Sequence, residues 1–249
     1  MAEHRSEQQT LRVCALYPDL MNIYADRGNL LLLERRCRWR GIEFELGANG
    51  LGEPLDPDAA DLFYIGGGQD RDQERCALDL AEHKSEALHQ VAARGGVILA
   101  VCGGYQLLGR SYQLGDQTLP GIGLFDAVTV REEGQRLIGN VAIEVELAPG
   151  ERRVLAGFEN HGGRTYLGER AAPLGRVLKG HGNNGSDGHE GARDRGVIGT
   201  YLHGPLLPKN AWFADWLIET ALHREQPLQP LDDALEAAAH GDARRAAGV

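Results

Sequence analysis

The sequence predicts an α/β fold with a mostly parallel central sheet and extra antiparallel strands, on three observations. In the first half, short apolar runs alternate with amphipathic helical stretches, the pattern of βαβ units. The run Val97-Ile-Leu-Ala-Val101 is apolar throughout, as a strand buried on both faces requires. From about Thr118 the texture changes to strand-like runs joined by loops, with an alternation that suggests antiparallel partners.

Taken in order, Leu11-Arg-Val-Cys-Ala-Leu-Tyr17 reads as a first strand and Asn29 to Arg40 as a helix. Ile42-Glu-Phe-Glu-Leu46 and Asp61-Leu-Phe-Tyr-Ile65 read as the next strands, Asp70 to Arg94 as helix broken near Glu82-His83, and Val97 to Val101 as the fourth strand. Val128-Thr-Val130, Asn140 to Glu146, Val154 to Phe158 and Val197 to Leu202 read as later strands, and Asn210 to His223 as a closing helix rich in tryptophan, phenylalanine and leucine. The glycine-rich stretch Lys179 to Gly191 cannot pack a core and reads as an irregular loop, either an ordered contact or a mobile one. Residues 1–10 are expected to be disordered, 11–223 to form one domain, and 224–249 to be a tail or a fringe helix.

The chain has 249 residues, 26 Lys and Arg against 36 Asp and Glu, and a net charge of −10. That balance argues against binding nucleic acid or an anionic membrane surface, both of which need clustered cations to meet phosphate. No apolar run approaches the roughly 20 residues of a bilayer span. The first ten residues lack the apolar core of a secretory signal, so a cytoplasmic location is expected, with no membrane insertion. Cys14, Cys37, Cys76 and Cys102 form no C-x-x-C pair, which fits neither a zinc site nor a disulfide framework. Neither metal nor cofactor is assigned.

The chemistry concentrates at Val97 to Gly109. An apolar strand ends on Cys102, Gly103 and Gly104 follow, and a helical run starts at once. This is the layout of a nucleophile elbow: the turn is strained, its neighbours must be small, and its side chain projects above the carboxyl edge of the sheet. A helix N-terminus behind it favours thiolate over thiol. A lone cysteine in an apolar run is more often structural, but the paired glycines and the abrupt helix start favour a nucleophile. His203, in Gly199-Thr-Tyr-Leu-His-Gly-Pro205, ends another predicted strand and is the candidate partner, since ligands of open sheets bind at such strand ends. Gly66-Gly-Gly68 follows a strand and can expose backbone N–H groups to an oxyanion, although a tight turn would look the same. No Walker loop occurs, so no ATP site is evident.

The elbow, these glycines and the late histidine resemble the class I, triad-type glutamine amidotransferases, in the branch related to cobyric acid synthase. Five motifs in order carry the resemblance over about residues 11–223: Tyr17-Pro-Asp-Leu-Met-Asn22 with Asp26-Arg-Gly-Asn29, Gly66 to Arg71, Cys102-Gly-Gly-Tyr-Gln106, Phe158-Glu-Asn-His-Gly-Gly-Arg-Thr165, and Gly199 to Asn210. It implies a three-layer, flavodoxin-like fold in which Cys102 attacks the amide of L-glutamine and passes through a thioester. By the same resemblance His203 moves the protons, the N–H groups of Gly67 and Gly103 hold the oxyanion, Arg136 holds the substrate, and Gln106 is a second contact. It further implies a heterodimer with a Mur-ligase-like, ATP-using subunit of the MurT type that amidates the D-glutamate α-carboxyl of lipid II. A corrinoid acceptor, or a catalytically silent binding or regulatory module, are the competing readings. Many of these enzymes carry a glutamate two residues after the histidine. Here that position is Pro205, and Asp19, Glu159 and Asp187 are the open candidates for a third member. His161 is read as a structural or binding residue ahead of a catalytic base, with its glycine neighbours keeping the second role open.

Overall fold

The computed structural model describes residues 9–22 and 27–249. Of the segment expected to be disordered, residues 1–8 lie outside the described residues, as does Asp26 of the first motif; Thr10 already belongs to a strand.

The central sheet takes its strands from β1 (Thr10–Leu16), β2 (Glu43–Asn49), β3 (Leu62–Ile65), β4 (Val97–Val101), β13 (Ala192–Asp194) and β14 (Val197–Thr200), in the order β13-β14-β4-β3-β1-β2. All pairs are parallel except β13 with β14. Between β1 and β2 runs α1 (Arg27–Arg38). Between β3 and β4 run α2 (Asp70–Asp79), a π-helical turn at Leu80–Lys84, and α3 (Ser85–Ala93). The step from β1 to β2 moves along the sheet opposite to the step from β3 to β4, so right-handed crossovers place α1 and α2–α3 on opposite faces. Helices thus cover both faces, and β4 is buried along its whole length.

The helix expected over Asp70 to Arg94 does not break near Glu82; it widens. The π turn carries Lys84 into the interior, where Nζ donates to the Glu53 carbonyl at 2.9 Å and pairs with the Asp79 carboxylate. Tyr17 Oη donates to that same carboxylate at 2.7 Å. A buried ammonium is tolerated only with such partners.

After β4 come α4 (Gly103–Leu108) and strands that the sequence shows only in part: β5 (Ser111–Leu114), β6 (Gln117–Pro120), β7 (Ala127–Arg131), β8 (Leu137–Ala148), β9 (Glu151–His161), β10 (Gly163–Leu167), β11 (Gly175–Lys179) and β12 (His189–Glu190). They form two four-stranded sheets, β10-β7-β5-β6 and β12-β11-β8-β9, antiparallel apart from β5 with β7. The loop at 179–191 is an ordered contact. Glu159 accepts the N–H groups of His181 and Gly182 at 2.7 and 2.9 Å, and buried Asn183 exchanges two 2.9 Å bonds with Gly191.

The chain closes with α5 (Leu206–Lys209), α6 (Ala211–Ala221) and α7 (Ala234–Ala247), the last packed against α5, β8 and β9. Fully buried Arg36 on α1 ties this end down, bonding Asp215 on α6 at 2.5 Å and Asp233, just before α7, at 2.8 Å. Among the described residues no helix is long and apolar enough to cross a membrane, and no cluster of side chains could hold a metal ion.

Candidate active site

Four chain turns meet at the carboxyl edge of the central sheet: residue 17 after β1, 66–68 after β3, 102 after β4 and 201–203 after β14. Parallel pairing sets their alignment, with Thr200 opposite Val101, so the residues just past both strands emerge side by side. Cys102 has φ 52° and ψ −107°, a backbone conformation an L residue holds only when its surroundings enforce it. Here they do. Cys102 N–H donates to Thr200 O at 2.8 Å, its carbonyl accepts Gln106 N–H at 3.2 Å, and Gly104 N–H donates to Gly66 O at 3.1 Å.

The glycines follow from that crowding. A Cβ on Gly103 would lie 2.0 Å from Gln73 Nε2 and 3.1 Å from Gly68 N, and one on Gly104 would lie 2.7 Å from the Ile65 carbonyl. Only bare backbone lets the 66–68 and 103–104 turns interlock. Gly103 heads α4, so its N–H has no acceptor within the helix. Gly67 lies in the facing turn and is buried.

Cys102 opens into a cavity of about 400 Å³ that is also lined by Gly68, Gln73, Gln106, Arg136 and His161. The Arg136 side chain is exposed but anchored: Nε donates to Asn160 Oδ1 and Nη2 to Asn160 O, both at 2.9 Å. Buried Arg164 cinches the same corner, donating to Gly162 O at 3.0 Å and to Gln135 O at 2.8 Å. Arg71 and Arg131 also line the cavity, and among the described residues no carboxylate does. This cationic mouth on an acidic chain suits a carboxylate-bearing substrate. Arg136→Ala is expected to raise KM for such a substrate about 10- to 100-fold with kcat little changed, while Arg136→Lys recovers only part because an ammonium lacks the planar fork. Steady-state kinetics check this, and an unaltered KM would remove Arg136 from binding.

Gln106 is buried and committed at both ends, donating to Tyr201 Oη at 3.0 Å and accepting from Gln73 Nε2 at 3.1 Å. It helps form the cavity floor.

His203 is buried and is not among the residues that line the cavity; its main chain exchanges hydrogen bonds with Phe158 at 2.9 and 3.1 Å. Burial pushes its pKa down to about 4; the neighbouring His161, Lys209 and Arg136 add to this, and Glu159 opposes it. The ring is therefore neutral near pH 7 and can accept a proton.

Of the three acids considered, Asp187 is engaged within its own loop, accepting from Asn184 Nδ2 at 2.6 Å and His189 N–H at 2.8 Å. Asp19 lines a separate hollow beside Leu31 and Leu46. Glu159 alone among them acts on His203 electrostatically. It is fully buried; burial disfavours its charge, yet His161, His181 and Gly182 outweigh that and hold the carboxyl below its usual range. The sequence reading did not give His161 its place: the ring stacks on Tyr201 at 3.6 Å, Nδ1 donates to Gly163 O at 2.8 Å, and Nε2 lies 4.0 Å from Glu159. Asn160 and Arg164, the residues that position Arg136, carried no signal beyond their place in a motif.

Residues 12–211 match the CobB/CobQ-like glutamine amidotransferase domain family. The chain is 39% identical over 214 residues to the lipid II isoglutaminyl synthase (glutamine-hydrolyzing) subunit GatD of Staphylococcus aureus strain N315, covering 85% of each chain. It is 37% identical over 216 residues to the subunit of the same name from Streptococcus pneumoniae strain R6, covering 86% of this chain and 82% of that one. A cobyric acid synthase from Pelotomaculum thermopropionicum is 34% identical over 209 residues, but the match spans only 37% of that protein. Among solved structures, a chain of PurLQS from Thermotoga maritima superposes with a TM-score of 0.56 at 22% identity, covering 86% of this chain and 95% of that one, a likeness of fold.

Proposed function

The chain belongs to the CobB/CobQ-like glutamine amidotransferase domain family, and on that premise we propose how its cavity performs the reaction and where the product goes. The protein is a glutamine-hydrolysing amidotransferase, the glutaminase subunit of a lipid II isoglutaminyl synthase. One observation carries the chemical reading: Cys102 is held at φ 52° on a strand-to-helix turn and opens into a cavity rimmed by arginines.

Arg136 receives the α-carboxylate of L-glutamine and leaves the side-chain amide over Cys102. Neutral His203 accepts the thiol proton as sulfur attacks the amide carbon, and the oxygen becomes an anion facing the N–H groups of Gly67 and Gly103. Each such donor is typically worth about 10²–10³ in rate. Collapse breaks the C–N bond; His203 returns its proton to the departing nitrogen, and ammonia leaves with a γ-glutamyl thioester on Cys102. His203 then takes a proton from water, hydroxide adds to the thioester, and the thiolate leaves and is reprotonated, freeing glutamate.

Ammonia serves synthesis only where a carboxylate has been activated, and this sequence has no phosphate-binding loop for that. The acceptor step therefore belongs to an ATP-using, Mur-ligase-like partner in a cytoplasmic heterodimer, which amidates the D-glutamate α-carboxyl of lipid II. A corrinoid acceptor has less support, because the cobyric acid synthase match leaves most of that longer protein uncovered. The test is to co-express the chain with a Mur-type ligase, isolate the pair, and follow glutamate release and lipid II amidation. Amidation that requires glutamine, ATP and both chains is the expected result. Glutamine hydrolysis without a stable pair, or transfer to a corrinoid instead, would overturn the assignment of the acceptor.

A further inference from the structure

We propose that Glu190 is a positioning residue for this glutaminase, holding through Thr200 and Tyr201 the strand end on which Cys102 and His203 are aligned. The inference rests on the glutaminase reading above. Glu190 is fully buried on β12 and is not among the residues lining the cavity, so it reaches the chemistry only through others.

Its carboxyl meets the chain where β14 stops. Tyr201 N–H donates to Oε1 at 2.6 Å, and the Thr200 hydroxyl lies 3.1 Å from both carboxyl oxygens. That hydroxyl in turn accepts Leu202 N–H at 3.0 Å. Beyond Thr200 the chain has left the sheet, and buried N–H groups there would have no strand partner; an unpaired buried donor costs about 1–3 kcal/mol. Glu190 and Thr200 provide the acceptors, and the next residue is His203. On the other side, Thr200 O accepts the N–H of Cys102 at 2.8 Å. One carboxyl therefore grips the three-residue link between nucleophile and histidine. The Tyr201 ring extends the grip, since it carries the stacked His161 and the hydrogen bond from Gln106.

The fold goes to some length to bring this acid in. Gly191, directly after it, has φ 65°, and a Cβ there would lie 2.4 Å from the Gly199 carbonyl. Asn183 clamps Gly191 through both its N–H and its carbonyl. No cation is within ion-pairing distance of Glu190 among the described residues, and burial without one pushes its pKa up to about 8. At neutral pH it is thus mostly the uncharged acid, one oxygen accepting from Tyr201 and a hydroxyl facing Thr200. A glutamine reproduces that pattern with its carbonyl and amide N–H; an alanine removes it.

The experiment compares Glu190→Gln and Glu190→Ala in the complex with the ligase partner, beside wild type and Cys102→Ala, measuring glutamine hydrolysis and thermal melting. Glu190→Gln is expected within about threefold of wild type. Glu190→Ala is expected to lose about 10- to 100-fold in kcat with KM within twofold, as misplacement of a reacting group does, and to slow labelling of Cys102 by a glutamine-analogue electrophile in parallel. Should Glu190→Ala not fold, Thr200→Val decides, with the same kcat-selective loss expected. Normal kcat per folded molecule in the alanine or valine variant, or a glutamine variant as poor as alanine, would overturn the proposal. Wild type without hydrolysis would instead indict the glutaminase reading itself.

Discussion

Cys102→Ala is expected to lower glutamine hydrolysis by at least about 10⁴-fold, because removing a nucleophile removes every step that depends on it. The backbone at 102 stays pinned by Thr200 O and by the 66–104 contact, so the melting temperature should change little. Glutamine should still bind, since Arg136 and its Asn160 anchor are untouched. The protein contains its own controls. Cys14, Cys37 and Cys76 are buried, and burial pushes their thiols up to about 11, 12 and 12, so they are poor nucleophiles. A glutamine-analogue electrophile should therefore add once to wild type, at Cys102, and not to the variant. Peptide mapping checks this. Residual hydrolysis above background in the variant, or labelling at another cysteine, would remove Cys102 from the centre of the reaction.

How far the sequence revealed this site depends on the range of the interaction involved. Val97–Val101 was legible as a strand because a segment buried on both faces is apolar at every position, and Cys102 was legible because a strand, two glycines and a helix leave the chain one way to turn. The parallel half of the fold could be read for the same local reason. The strands β5, β10 and β11 could not, since they are short and depend on partners far along the chain: Arg176 pairs with Glu144, Tyr166 with Val128 and Tyr112 with Thr129, while β6, four residues long, only closes a hairpin onto β5. The break expected near Glu82 is a widened turn because buried Lys84 requires Asp79 and Glu53, and no local pattern records that need. The same limit applies at the site. Glu159 was one of three acids that sequence could not rank, and only the fold brings it into the field of His203. Glu190 gave no signal at all, lying in a glycine-rich stretch that looks like a loop.

His203→Asn separates the catalytic role of the ring from its place in the packing. Hydrolysis is expected to fall about 10²- to 10⁴-fold, the usual range for losing a positioned acid–base group, with KM little changed. Stability gives an independent signature. The folded-state pKa is lowered from 6.5 to about 4, so below pH 6.5 the unfolded chain binds the proton more readily than the native protein does. Stability from this residue is therefore full above about pH 6.5 and is lost as the pH falls towards 4, by about 3 kcal/mol in all. Other groups contribute to acid sensitivity, notably Glu159 and Asp79, whose carboxyls sit below their usual range, and both are present in the two proteins compared. Urea unfolding at pH 7.5 and 4.5 should thus show wild type losing roughly 2 kcal/mol more than His203→Asn over that interval. Lys209, His161 and Arg136 are the neighbours that depress the ring, and Glu159 the one that opposes them, so Glu159→Gln should deepen the depression. Equal acid losses in wild type and His203→Asn would show that the imidazole is not held neutral in the folded protein, and a neutral ring is what lets it take the thiol proton in the first step.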